Sequence, residues 1–218
     1  MDEKIEKIEE LGYNSFFEAN RVKLGLEDFV IARVTAGHKG AYKVRSADGE
    51  YLAKITGKQI WKASSSEDYP AVGDWVAIWK LEEGSATIHT ILPRKTVIKR
   101  KQGGKNEIQM IATNIDVAFA VESVGRDFNL NRLERYFAIA NDGGTTTAII
   151  LNKIDLISKE ELDLKIAQIK KRFKSADVIL ISTLTKEGME ELEKYIKKGL
   201  TYCFLGSSGV GKSSIING

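Results

Sequence analysis

Residues 206–213 read Gly206-Ser207-Ser208-Gly209-Val210-Gly211-Lys212-Ser213, directly behind the apolar run 201–205. A Gly-x-x-x-x-Gly-Lys-Ser string needs a strand ending at its first glycine and a helix opening at its lysine, so it commits this part of the chain to α/β layers. Its glycines let the backbone curl until successive N–H groups point at one phosphate, and the helix N-terminus adds the positive end of its dipole. Lys212 then reaches the β- and γ-phosphate oxygens of a nucleotide, while the Ser213 hydroxyl ligates the Mg2+ that bridges them. The competing reading is a plain Gly/Ser-rich turn between a strand and a helix.

Asn152, Lys153, Ile154 and Asp155 close another apolar run, 147–151, and so stand at the C-terminal end of a strand. A carboxylate at Asp155 accepts two hydrogen bonds from guanine, from N1–H and the 2-amino group, which adenine does not offer in that arrangement. The wrong base leaves a buried acceptor unpaired, and discrimination is strong for that reason. Asn152 contacts the N7 edge and holds the loop, and the aliphatic stem of Lys153 covers base or ribose. Alone, the tetrapeptide also reads as a helix-capping Asp before Leu156. Ser182 and Thr183 end the run 178–181, where Ras-like domains place a backbone N–H for guanine O6; a strand-end turn explains them equally. In GTPases of the Ras type the phosphate loop precedes Asn-Lys-x-Asp. Here the order is reversed, which reads as a circular permutation.

The remaining periodicity organises the chain around these motifs. Residues 29–36, 41–46, 51–56, 74–80 and 86–91 alternate with period two and are separated by turn signals, which predicts a five-stranded OB-like barrel; an SH3-like barrel fits the same periodicity. Residues 115–121, 147–151, 178–181 and 201–205 are continuous apolar runs, as expected of parallel strands buried on both faces. Helical stripes lie between them: Leu133 and Phe137 in 131–140, Leu162, Ile166, Ile169 and Phe173 in 159–174, and Met189, Leu192 and Ile196 in 187–198. The predicted class is therefore α/β plus all-β, a barrel followed by a partial, circularly permuted P-loop domain with a mostly parallel sheet and helices on both faces. The expected divisions are an N-terminal arm, 1–28, with a short helix through Ile5, Ile8 and Leu11; the barrel, 29–93; a basic linker, 94–107; and the P-loop domain, 108–218.

Composition closes other routes. A single cysteine, Cys203, excludes an intrachain disulfide, and with only His38 and His89 beside it no Cys/His metal cluster can form. The two histidines read as surface or strand residues. No apolar run reaches the roughly 20 residues that span a bilayer, and no signal-peptide stretch follows Met1, so a soluble cytoplasmic protein is expected. Net charge is only +3. Arg94, Lys95, Lys99, Arg100, Lys101 and Lys105 are clustered around Gly103-Gly104, however, and read either as phosphate-contacting residues or as a solvated linker.

The reversed motif order, the string Val72-Gly73-Asp74-Trp75-Val76, the segment Asn114-Ile115-Asp116 and the string from Gly206 through Ser213 to Ser214 together resemble the bacterial RsgA family, also called YjeQ or YloQ. The resemblance implies a GTPase that assists late maturation of the small (30S) ribosomal subunit, contacts 16S rRNA through its OB barrel, uses GTP with Mg2+ and works as a cytoplasmic monomer. It implies nucleotide contacts from Asn152, Lys153, Asp155, Ser182, Thr183, Gly206, Ser207, Ser208, Gly209, Val210, Gly211, Lys212, Ser213 and Ser214, catalytic roles for Lys212 and Ser213, and Mg2+ ligation by Ser213. It also implies Zn2+ in a C-terminal domain whose ligands this sequence does not contain. No Asp-x-x-Gly occurs, and Thr145-Thr146-Thr147 reads as the entrance of a strand rather than as a switch. Without the family's switch segments, the run 201–205 is expected on an open sheet edge, the helix after Lys212 is expected to be barely one turn, and nucleotide binding is expected to be weak. The alternative function is a non-hydrolysing RNA- or ribosome-binding module; a P-loop ATPase is argued against by Asn152 and Asp155.

Overall fold

The computed structural model describes residues 7–38, 40–57, 63–82, 84–101 and 108–217. The chain forms two compact units, Met1–Ile115 with Lys198–Thr201, and Asp116–Lys197 with Tyr202–Gly218.

In the first unit β1 (Val30–His38), β2 (Ala41–Ser46), β3 (Gly49–Ile55), β4 (Trp75–Lys80) and β5 (Ser85–Ile91) close into a barrel of order β1-β2-β3-β5-β4. β4 returns antiparallel to β1, and β3 and β5 run parallel. This circuit is the OB-type Greek key and removes the SH3-like alternative. Alternation sends Ala32 and Val34, Val76 and Ile78, and Ala86 and Ile88 inward, where they are buried together with Val44 and Ala53. The outward-facing His89 stacks on Phe29 with ring centroids 4.3 Å apart.

Of the expected N-terminal helix, Ile5 lies outside the described residues, residues 7–9 are helical, and Ile8 and Leu11 pack against the cluster of Tyr13, Phe17 and Trp75. A further helix, α1 (Ser15–Lys23), follows, with the Asn14 side chain accepting from Phe16 N as its cap. Phe17 is its one buried residue, packed with Tyr13, Ile31, Trp75 and Leu92. A single anchor leaves no stripe in the sequence to read.

Within the stretch expected as a linker, β6 (Val97–Lys101) pairs antiparallel with β7 (Ile108–Thr113). Gly103, Gly104 and Lys105 lie outside the described residues. Arg94 does not join a solvated basic strip. Its guanidinium is bidentate to the fully buried Asp74 at 2.8 and 2.7 Å and also donates to the carbonyls of Glu67 and Tyr69. Burial opposes its charge, but the Asp74 hydrogen bonds outweigh that, and the pKa of Arg94 is raised. Removing either partner would strand a buried charge, at a cost of about 3–5 kcal/mol. Lys99, by contrast, makes an exposed pair with Glu67, a contact of small net worth.

Arg33 organises the same unit. Buried in β1 and lying over the Trp75 ring, it donates to the carbonyls of Leu11, Gly73 and Asn114 and to Thr201 Oγ1. Gly73 (φ 95°) permits a close backbone approach, since a Cβ there would sit 2.1 Å from Thr113 O. Val72 and Gly73 thus meet Thr113 and Asn114 at a backbone junction, where Asn114 Nδ2 donates to Gly73 O at 3.0 Å.

The second unit is a parallel sheet of order β10-β9-β8-β11, built from β8 (Val117–Ser123), β9 (Thr146–Asn152), β10 (Val178–Ile181) and β11 (Tyr202–Leu205). Its two faces are covered by different helices. Phe119, Val121, Ile150 and Ile181 pack with Leu192 of α4 (Met189–Tyr195) and Ile215 of α5 (Lys212–Asn217). Ala120, Ile149 and Leu151 pack with Leu133 of α2 (Leu130–Asp142) and with Ile169 and Phe173 at α3 (Lys159–Arg172). Burial on both faces explains the unbroken apolar runs. Ile196 departs from its expected stripe: α4 ends at Tyr195 and Ile196 is 45% exposed. β11 stands at the sheet edge, as expected.

Candidate functional site

The parallel strands deliver their motif loops to one end of the sheet. β11 runs into residues 206–211, which curl through Gly209 (φ 83°) and Gly211 (φ 98°) before α5 begins at Lys212. Val210 anchors the curl by burying its side chain in the core beneath. Close packing requires two of the glycines: a Cβ on Gly211 would lie 2.2 Å from Asn152 Nδ2, and one on Gly206 would lie 2.8 Å from Val121 O. Lys212 folds over the loop, with Nζ donating to Gly206 O at 2.8 Å and Ser207 O at 2.7 Å. Ser208, Gly209, Ser213 and Ser214 are exposed and Ser207 is half-buried.

Asn152 ties the loops to one another. Fully buried at the end of β9, its Nδ2 donates to Val210 O at 2.9 Å, while Oδ1 accepts from Lys153 N at 2.7 Å and Thr183 N at 3.4 Å. Lys153 takes a left-handed backbone (φ 64°), and its Nζ donates to Gly209 O at 2.8 Å. Asp155 is exposed on the short 3-10 turn Ile154–Leu156 and accepts from the buried Ser182 hydroxyl, which in turn accepts from Thr185 N at 3.1 Å. Asn152 and Lys153 thus touch the loop at Gly209 and Val210, while Thr183 is tied to Asn152 and Asp155 to Ser182. Thr145, Thr146 and Thr147 sit at the opposite end of β9, about 20 Å of strand away from Asn152.

Several neighbours escape the sequence reading. Glu122, fully buried near the end of β8, receives the Arg132 guanidinium at 3.0 and 3.2 Å, and that contact raises the pKa of Arg132. Arg132 also donates to Asp127 O. Tyr136 Oη lies 3.3 Å from Ser207 Oγ. The signal was present at Glu122, because a carboxylate in an all-buried strand demands a cation. A cavity of about 180 Å3 opens between this turn and the phosphate loop, walled by Ser123, Gly125, Arg126, Asp127, Arg132, Lys153, Leu156 and residues 207–210.

The loop suits a nucleotide. Its curl, its interior lysine and its glycine-only approach to Asn152 leave the backbone N–H groups of 207–212 as the natural anion donors. Among the described residues no group of three or more His, Cys, Asp or Glu side chains is placed to hold a metal ion. Mg2+ that accompanies a nucleotide is commonly held through phosphate oxygens with few protein ligands, and the exposed Ser213 hydroxyl beside the loop would suit that role. No helix among the described residues is long and apolar enough to cross a membrane.

Fold and site together define a circularly permuted P-loop protein of the GTPase class, joined to an OB-like barrel. The model of the RsgA GTPase family matches residues 91–218. Small ribosomal subunit biogenesis GTPase RsgA 2 of Lactiplantibacillus plantarum is 39% identical over 188 residues, covering 86% of this chain and 53% of that protein. The RsgA protein of Syntrophotalea carbinolica is 36% identical over 218 residues, covering 96% and 59%. Among solved structures, YjeQ from Thermotoga maritima superposes with a TM-score of 0.70 at 26% identity, covering 86% of this chain and 64% of that one. YloQ, a circularly permuted GTPase, shares the fold with a TM-score of 0.64 at 23% identity, covering 87% and 63%. The chain belongs to the RsgA GTPase family, and it spans between half and three-fifths of the length of the curated relatives it matches.

Proposed function

We propose that this chain binds GTP with Mg2+ and hydrolyses it in the service of small ribosomal subunit assembly, in the cytoplasm and as a monomer. The observation that carries the reading is the direct tie between the base-reading and phosphate loops: Asn152 and Lys153 donate to the carbonyls of Val210 and Gly209. Such a tie fixes the spacing between base and phosphates, so one rigid frame reads both ends of the nucleotide. Asp155, oriented by Ser182, reads the guanine N1–H and 2-amino group, and Thr183 offers its backbone near O6. Lys212 exchanges the carbonyls of Gly206 and Ser207 for β- and γ-phosphate oxygens, and Ser213 holds Mg2+. When bound, Mg2+ neutralises charge that develops as the γ-phosphoryl group departs. The chain's own contribution is positioning and electrostatics, with no covalent intermediate.

The barrel is assigned to 16S rRNA in the 30S particle. Trp79, 57% exposed, lies edge-on to Phe29, itself stacked with His89, and such rings accept unpaired bases.

Binding of fluorescent mant-GTP and mant-XTP tests the base assignment. Asp155→Asn is expected to shift preference from guanine toward xanthine by at least tenfold; an unchanged preference would remove Asp155 from the site. Lys212→Ala is expected to abolish 30S-stimulated phosphate release.

A further inference from the structure

The cavity beside the phosphate loop has one wall that the motifs do not account for. Residues Gly125 to Phe128 form a tight turn, with Phe128 N donating to Gly125 O at 3.1 Å, and Arg126 is an exposed central residue of that turn. The turn is held from both sides. Arg132, bidentate to the buried Glu122, donates to Asp127 O, and Phe128 packs into the α2–α3 core with Lys165 Nζ 4.4 Å above its ring. Two of the three cations on the cavity wall are already committed, Arg132 to Glu122 and Lys153 to Gly209 O. Arg126 is not committed in this way, and it shares the wall with Ser208 and Gly209. Over Gly209 a Cβ would meet nothing within 4 Å, so the space above the loop there is open.

From this placement we infer that Arg126 is a nucleotide-binding residue that reaches across the cavity to the phosphate chain at Gly209, supplying in cis a positive charge that the Gly-x-x-x-x-Gly-Lys-Ser motif does not contain. The inference rests on the nucleotide-binding reading of the site. A guanidinium suits the task because its planar fork can donate two hydrogen bonds to phosphate oxygens while its stem spans the cavity. The clamp from Glu122 through Arg132 to Asp127 makes the reach inexpensive in entropy, since the turn is already fixed before a ligand arrives.

The test is titration of the chain with mant-GDP and mant-GTP at low and high salt, for wild type, Arg126→Ala, Arg126→Lys and Arg126→Glu. Arg126→Ala is expected to weaken binding roughly tenfold at low salt and to flatten its salt dependence, because one charge contact screened by ions is gone. Arg126→Glu is expected to weaken it further, and Arg126→Lys to recover most of the loss. Wild-type and Arg126→Ala chains with equal affinity and equal salt slope would overturn the inference while leaving the nucleotide site intact. Absence of nucleotide binding by the wild-type chain would instead overturn the functional reading on which it depends. Circular dichroism of each variant guards against misfolding, and an affinity loss with an unchanged salt slope would count against a charge contact.

Discussion

At the scale of single residues the loop 206–211 and the loop that opens at Asn152 are one object. Gly209 and Gly211 both hold positive φ, yet only Gly211 faces a neighbour, the Asn152 amide. The two positions therefore separate backbone cost from contact cost. Gly209→Ala carries only the left-handed penalty, about 1–2 kcal/mol. Gly211→Ala carries about 1–3 kcal/mol of strain and must also push aside a buried side chain that bonds Val210 O. Urea denaturation is expected to show the larger loss for Gly211→Ala, and nucleotide titration is expected to show that it alone collapses binding. Equal effects at both positions would mean that Asn152 is not the frame of the site. The placement of these loops is legible in the sequence, since each motif follows an apolar run that forms a strand. Arg33, Arg94 and Glu122 were not legible, because their partners Thr201, Asp74 and Arg132 are set by tertiary folding and only Glu122 left a mark in its strand.

At the scale of elements, long periodic segments were readable and anchored ones were not. The strands and α3 follow the predicted runs closely because burial on one or two faces writes a period into the sequence. α1 writes none, being held by Asn14 and Phe17, and the β6–β7 pair was hidden under a basic composition. β11 shows how an element sets the chemistry of its residues. Cys203 lies in this strand, and burial pushes its thiol up to about 12, well above its value in an unfolded chain. The folded state thus holds its proton more tightly than the unfolded one. That contribution is complete below about pH 8.5 and is lost as pH rises toward 12. Iodoacetamide labelling at pH 8 is expected to be slow in the native chain and fast in urea. Stability measured between pH 8 and 10 is expected to fall, and to fall less in Cys203→Ala. Rapid labelling of the native chain would show that β11 opens.

At the scale of the whole molecule, each compact unit carries its own core. Two cores predict two unfolding transitions in calorimetry. Mg2+ with GDP is expected to raise only the transition of the unit that holds Asn152 and Gly206, by about 2.7 kcal/mol at one hundred times the dissociation constant. A single transition that shifts as a whole would mean that the units unfold as one. The path of the chain adds a condition on how the molecule can be divided. The short segment Lys198–Thr201 leaves the parallel sheet's unit, joins the barrel's unit through Arg33 with Thr201 and through Lys198 with Glu10, and returns one residue later as β11. A protease that nicks the backbone between Ile115 and Asp116 would therefore leave Lys198–Thr201, which belongs with the barrel's unit, on the fragment that carries the parallel sheet. A gene cut at the same point would yield a P-loop half whose β11 begins beside four residues stripped of their partners.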